Sequence, residues 1–206
     1  MIRSLLFLLS LLSMTAAANA QTRLDFVARV FLTTPEAQYT STGVLIDRDL
    51  VLTNHHAVEG EGRVTVELAN GDVLPAKIVK STKLQDLALL QISPVSMATA
   101  TLGSVPRADE PVRIHGFARG TTYRESAGIM TGPARPEKTE RDTMFTTDAG
   151  VAKGMSGGPV LNERSQLVGV LFGGDERGSY CVSIATVREF LGSIGQGRLR
   201  NVSGKR

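Results

Sequence analysis

The heptapeptide GMSGGPV, residues 154–160, gathers three glycines and a proline around Ser156. Glycine loses more backbone freedom on folding than any other residue, so three at one turn need a reason. One reason is a tight loop. Another is a backbone shaped to present a single serine hydroxyl. The stretches on either side, FTTD before it and QLVGVLFGG after it, are short apolar runs of strand type, so the turn lies between strands.

Further out the pattern repeats. TGVLID and LVLTN flank a polar Asp47-Arg48-Asp49 turn. RVTVEL alternates strictly, with Val64, Val66 and Leu68 on one face, and Asn70-Gly71 after it is a hairpin signal. LALLQI, PVRIHGF, SAGIMTG, MFTTD and GPVLN read as further strands. Many short strands separated by Gly, Pro, Asp and Ser clusters predict an all-β sandwich or barrel. One helix is expected, over ATVREFLGSI, with Thr186 as its N-cap and Val187, Phe190 and Leu191 on its apolar face. Residues 95–111 lack periodicity and read as a linker between two halves; no sequence repeat relates them.

A serine hydroxyl is a poor nucleophile until a base takes its proton, and that base needs a third group to orient it. The chain has three histidines. His115 lies inside an apolar strand and reads as structural. His55 and His56 follow the strand LVLTN, where a side chain can project into a cleft. The acids to weigh are Asp86, which opens LALLQI, and Asp148, eight residues before Ser156.

LTNHHAV, DLALL and GMSGGPV occur in that order. Together they resemble the trypsin/chymotrypsin superfamily of serine proteases, and in particular the protease domain of the bacterial envelope heat-shock (high-temperature-requirement) proteases. VRIHGFARGTTYRESAGIMTG and FTTDAGVAKGMSGGPVLNERSQLVGVLF are similar to the same family, so the likeness runs from about Ser41 to Leu191. The resemblance implies two antiparallel six-stranded β-barrels of chymotrypsin type with a C-terminal helix. It implies His56 as general base, Asp86 as its orienting acid, Ser156 as nucleophile, and the N–H groups of Gly154 and Ser156 as the oxyanion hole. It implies a first specificity pocket around Gly150, Val151, Phe172, Gly174 and Cys181. No acid stands at the base of that pocket, so a small apolar preference is expected; Lys153 beside the hole reads as a solvated surface lysine. The implied activity is serine endopeptidase, with a protein or peptide substrate and no cofactor or metal. A catalytically silent binding protein of the same fold is the alternative. The order His, Asp, Ser disfavours an α/β-hydrolase esterase.

Departures from the family bear on regulation. Digestive relatives carry an aspartate before the nucleophile, which pairs with a newly cut N-terminus; here that residue is Met155. The heat-shock proteases continue into a PDZ domain, and none is expected here.

The first twenty residues, with Arg3, an apolar run from Leu5 to Leu12 and a closing Ala-Asn-Ala, read as a secretory signal rather than an anchor. The domain expected after it covers residues 21–195, with barrels over about 24–96 and 108–184 and the helix over about 185–194; a flexible basic tail takes up 196–206. Export fits a periplasmic or secreted location. The lone cysteine, Cys181, cannot form a disulfide within the chain. A net charge of +3, mixed signs and few aromatics give no support to nucleic-acid binding, and nothing after the leader is apolar enough for stable membrane insertion.

Overall fold

The computed structural model describes residues 23–134 and 144–192. The leader and the basic tail lie outside the described residues. The first six strands are β1 (Val27–Thr33), β2 (Gln38–Asp47), β3 (Leu50–Thr53), β4 (Arg63–Glu67), β5 (Val73–Thr82) and β6 (Leu87–Gln91). They close into a barrel in the order β1-β2-β3-β6-β5-β4, every pairing antiparallel, with β1 meeting β4. The next six are β7 (Pro111–Ala118), β8 (Thr122–Ala134), β9 (Met144–Thr147), β10 (Pro159–Leu161), β11 (Leu167–Asp175) and β12 (Gly178–Ser183). They form a second closed antiparallel barrel, β10-β11-β12-β9-β8-β7, with the same connectivity as the first. Closure leaves neither sheet with an open edge. A single helix, α1 (Ile184–Gly192), follows.

Each barrel encloses its own apolar core. Val30, Leu45, Val51, Val66, Ala88 and Leu90 fill the first. Ile114, Phe145, Met155, Val160, Leu171 and Cys181 help fill the second. A third cluster lies between them. There Val44, Ile46, Leu52, Leu87 and Leu89 turn outward from the first barrel and meet Leu161, Leu167, Val170 and the apolar face of α1. Strands β2, β3 and β6 are therefore buried on both faces, which explains why VLI, LVL and LALL read as continuous apolar runs rather than alternations. β4 keeps the expected alternation, with Val64 and Val66 inward.

The helix begins earlier than its sequence suggests. Ser183, not Thr186, occupies the capping position: its Oγ accepts the Ala185 N–H at 3.3 Å, while Thr186 is buried one turn in. Ile184 completes the apolar face against the inter-barrel cluster, and packing carries the helix back to it. β1, which carries polar Arg29 within an apolar stretch, shows no clean alternation in the sequence and is recognisable only in the barrel.

Candidate active site

His56 and Asp86 come from the first barrel. β3 ends at Thr53 and the chain turns at once, Val58 N–H donating to the His55 carbonyl at 3.0 Å. Asn54 is buried and its Nδ2 donates to the Asp86 carbonyl at 3.0 Å, tying this turn to the start of β6. Asp86 sits in the left-handed region, φ 49°, which an aspartate tolerates better than most side chains. In that conformation its carboxylate reaches His56 twice. Oδ2 accepts the imidazole Nδ1–H at 2.8 Å and Oδ1 accepts the main-chain N–H at 3.0 Å. The bond to Asp86 outweighs partial burial and raises the His56 pKa above its ordinary value. The Phe172 ring stands edge-on to the imidazole, centroids 5.8 Å apart.

His55 points elsewhere. Its Nδ1 is 2.7 Å from Ser81 Oγ and its Nε2 is 3.6 Å from Glu59. His115 is buried in β7, with Nδ1 3.0 Å from the Tyr123 hydroxyl, and burial lowers its pKa. Asp148 accepts the Ile129 N–H at 2.7 Å, a structural contact within the second barrel.

Ser156 comes from the second barrel, and the segment before it is anchored peptide by peptide. The Lys153 carbonyl accepts the Arg119 N–H at 2.6 Å, and the Met155 carbonyl accepts the Gly158 N–H at 3.0 Å. In a trans peptide the N–H points away from the C=O. Pinning these two carbonyls therefore fixes the directions of the Gly154 and Ser156 N–H groups. Among the described residues neither N–H donates to a protein acceptor. Gly154 has φ 91°, and a Cβ there would stand 2.5 Å from the Phe117 carbonyl and 2.6 Å from the Gly120 nitrogen. Only glycine fits. Met155 is 1% exposed and packs into the core of the second barrel, which anchors the loop from inside.

His56, Gly154 and Ser156 line one open cleft of about 460 Å³, together with Tyr39, Ser41 and Lys153. No hydrogen bond links Ser156 to His56 across it among the described residues. Of the residues expected at the specificity pocket, Gly150, Val151 and Gly174 line a separate cavity of about 650 Å³, with Asp148 on its wall. Phe172 lies against His56 instead. Cys181 does not face that cavity. Strand alternation on β12 turns its side chain into the barrel core, where it is wholly buried and its thiol pKa is pushed up by desolvation. Two features escaped the sequence reading, the buried Thr42 on β2 and the β7–β8 turn at Arg119-Gly120. A threonine inside a strand and a short Arg-Gly turn carry no local signal of their contacts with a distant loop.

The fold, the cleft and the anchored serine loop are those of a trypsin-like serine protease domain. The sequence pattern of the trypsin-like peptidase domain family matches residues 41–170, and the chain belongs to that family. It is 33% identical over 139 residues to the "Probable periplasmic serine endoprotease DegP-like" of Hahella chejuensis, covering 66% of this chain and 30% of that one. It is 30% identical over 135 residues to the serine endoprotease DegS of Haemophilus influenzae, covering 63% and 40%. The chain thus spans well under half the length of these relatives. The crystal structure of the serine endoprotease from Yersinia pestis superposes with a TM-score of 0.75 over 85% of this chain and 64% of that one, at 23% identity, a likeness of fold.

Proposed function

We propose that this chain is a serine endopeptidase that works through an acyl-enzyme on Ser156. In this mechanism Ser156 Oγ adds to the scissile carbonyl carbon as its proton passes to His56 Nε2. Asp86 holds the imidazole in the tautomer that leaves Nε2 free and stabilises the imidazolium that forms. The oxygen of the tetrahedral intermediate takes its negative charge to the N–H groups of Gly154 and Ser156, each donor contributing about 3–4 kcal/mol in the transition state. His56 then protonates the leaving amine. Water repeats the sequence on the ester and returns Ser156. The substrate is a protein or peptide, and the compartment is periplasmic or extracellular. The leader pattern and the name of the Hahella relative support that location.

The observation that carries the reading is that the N–H groups of Gly154 and Ser156 donate to no protein acceptor among the described residues, in one cleft with a histidine held by a carboxylate. The test is labelling of the chain by a fluorophosphonate probe, together with cleavage of a denatured protein, for wild type and Ser156→Ala. Labelling and cleavage that both vanish in Ser156→Ala are expected. A well-folded wild type that neither labels nor cleaves sinks the reading and leaves a silent binding protein.

A further inference from the structure

Thr42 lies in β2 of the first barrel and is 0% exposed, yet every polar group it owns is engaged at the serine loop or beside it. Its hydroxyl donates to the Gly154 carbonyl at 2.8 Å and accepts the Phe117 N–H at 3.0 Å. Its N–H donates to the Ser156 carbonyl at 2.8 Å. Its own carbonyl accepts the Thr53 hydroxyl at 2.7 Å, from the strand that leads into His56. One residue therefore bonds the Gly154–Met155 and Ser156–Gly157 peptides, the β7 end that abuts Gly154, and β3.

We propose that Thr42 is a positioning residue for the oxyanion loop: its hydroxyl sets the Gly154–Met155 peptide plane and so aims the two N–H groups at the oxygen of the intermediate. The inference rests on Ser156 being the nucleophile. The Gly154 N–H direction is fixed from one side by Arg119, through the Lys153 carbonyl. From the other side it depends on the rotation about Gly154, whose φ of 91° places no side chain to resist a flip. The Thr42 hydroxyl holds the carbonyl at the far end of that rotation, and the N–H of the same peptide, that of Met155, donates to the Ala152 carbonyl at 3.1 Å. A hydroxyl suits the task because it accepts from Phe117 and donates to Gly154 at once. Among the described residues no other side chain bonds either group. Without it the buried Phe117 N–H and the half-buried Gly154 carbonyl lose this partner, and the loop has a reason to turn.

The test compares Thr42→Val, which keeps the shape and loses the hydroxyl, with Thr42→Ser, which keeps the hydroxyl. In Thr42→Val, kcat for a peptide substrate falls about 10- to 100-fold, the scale of a misaimed oxyanion donor, while KM stays within about 3-fold. Thr42→Ser restores kcat to within about 2-fold of wild type. A Thr42→Val enzyme with wild-type kcat, or a Thr42→Ser enzyme as impaired as Thr42→Val, overturns the proposal and leaves the protease reading intact. Amide hydrogen exchange at Phe117 reads the clamp without turnover. It quickens at least about 10-fold in Thr42→Val and not in Thr42→Ser, the change expected when an amide loses its acceptor. Equal exchange in the two variants overturns the proposal even if wild type cleaves nothing. Quickened exchange with an inactive wild type supports the clamp and defeats the protease reading. Should Thr42→Val fail to fold, Thr42→Ser decides: a loss of 10-fold or more in its kcat overturns the proposal, and kcat near wild type supports it.

Discussion

Asp86 grips His56 at two points, the imidazole Nδ1–H at 2.8 Å and the main-chain N–H at 3.0 Å. The second bond fixes where the residue sits and the first fixes which way the ring faces. Replacing Asp86 by Asn keeps the size but offers the ring an amide that can donate, which favours the wrong tautomer. If His56 is the base, Asp86→Asn lowers kcat by about 10³- to 10⁴-fold with little effect on folding. Steady-state kinetics beside a thermal melt check this. Activity within 10-fold of wild type removes Asp86 from the mechanism.

The same bond sets the pH dependence. A general base works in its neutral form, and the Asp86 contact raises the His56 pKa. Activity therefore rises with pH along a limb whose midpoint lies above the ordinary histidine value of about 6.5. In Asp86→Asn the midpoint of any residual activity moves down. The stability term has the opposite sense. Protonated His56 favours the fold below the unfolded-state pKa, and that contribution is lost as pH rises through the higher folded pKa. The ring is 44% exposed, so the term is small against the change in rate. A kcat/KM profile from pH 5 to 9 on both proteins, together with urea melts, separates the two effects.

The glycines after Ser156 do different work from those in the strands. Gly157 has φ 83°, and a Cβ there would lie 2.1 Å from the Thr42 carbonyl oxygen and 2.4 Å from Thr53 Oγ1. Both neighbours are held in place, the hydroxyl by its bond to that same carbonyl. Gly157→Ala therefore costs at least about 3 kcal/mol and inactivates what remains folded. Gly132 in β8 has open space where a Cβ would go, so Gly132→Ala serves as the control and changes stability by less than about 1 kcal/mol. Urea denaturation of the two variants tests the contrast. Equal midpoints defeat it.

The elements differ in how legible they were. Alternation in RVTVEL and the Asn70-Gly71 turn belong to single strands and a single hairpin, and local sequence states both: Val64 and Val66 face inward and Gly71 takes φ 90°. GMSGGPV was legible because its glycines are forced by close approaches within a few ångström. The helix start, the inward turn of Cys181 and the edge-on placing of Phe172 beside His56 depend on neighbours more than 80 residues away or on which face of a strand meets the core. Thr42 is the extreme case, since its partners at Gly154 and Phe117 are 112 and 75 residues along the chain.

Lys80 joins β5 to the end of α1. Its ammonium donates to the Phe190 carbonyl and stands 4.3 Å from the centroid of the Phe190 ring. A cation at the last turn meets the negative end of the helix dipole. Lys80→Met keeps the stem and removes the charge. The expected loss is about 1 kcal/mol of stability with kcat unchanged, because α1 lies on the inter-barrel cluster, away from the cleft. A lowered urea midpoint with unaltered turnover fits this; a matching fall in kcat places the helix in the mechanism after all.

Met155 gives the sharpest test of how the serine loop is held. The side chain is 1% exposed among Val112, Ile114, Phe145, Val160 and Leu171, and its backbone packs over Gly116, where a Cβ would come within 2.9 Å of the Met155 Cα. The loop is thus anchored by an apolar plug at the residue before Ser156, with hydrogen bonds from Arg119 and Thr42 on its outer side. A plug needs volume and apolar character. Met155→Leu keeps both and stays within about 1.5 kcal/mol of wild type, with near-normal turnover. Met155→Asp places a carboxylate in an apolar core, where the charged form is strongly penalised and even the neutral acid leaves its oxygens unpaired. That variant loses several kcal/mol, and any folded fraction has a displaced loop and no activity. Melts and phosphonate labelling of both variants decide the matter. An active, stable Met155→Asp enzyme refutes the plug, since its carboxylate must then have found a cation and the loop must be held by an ion pair.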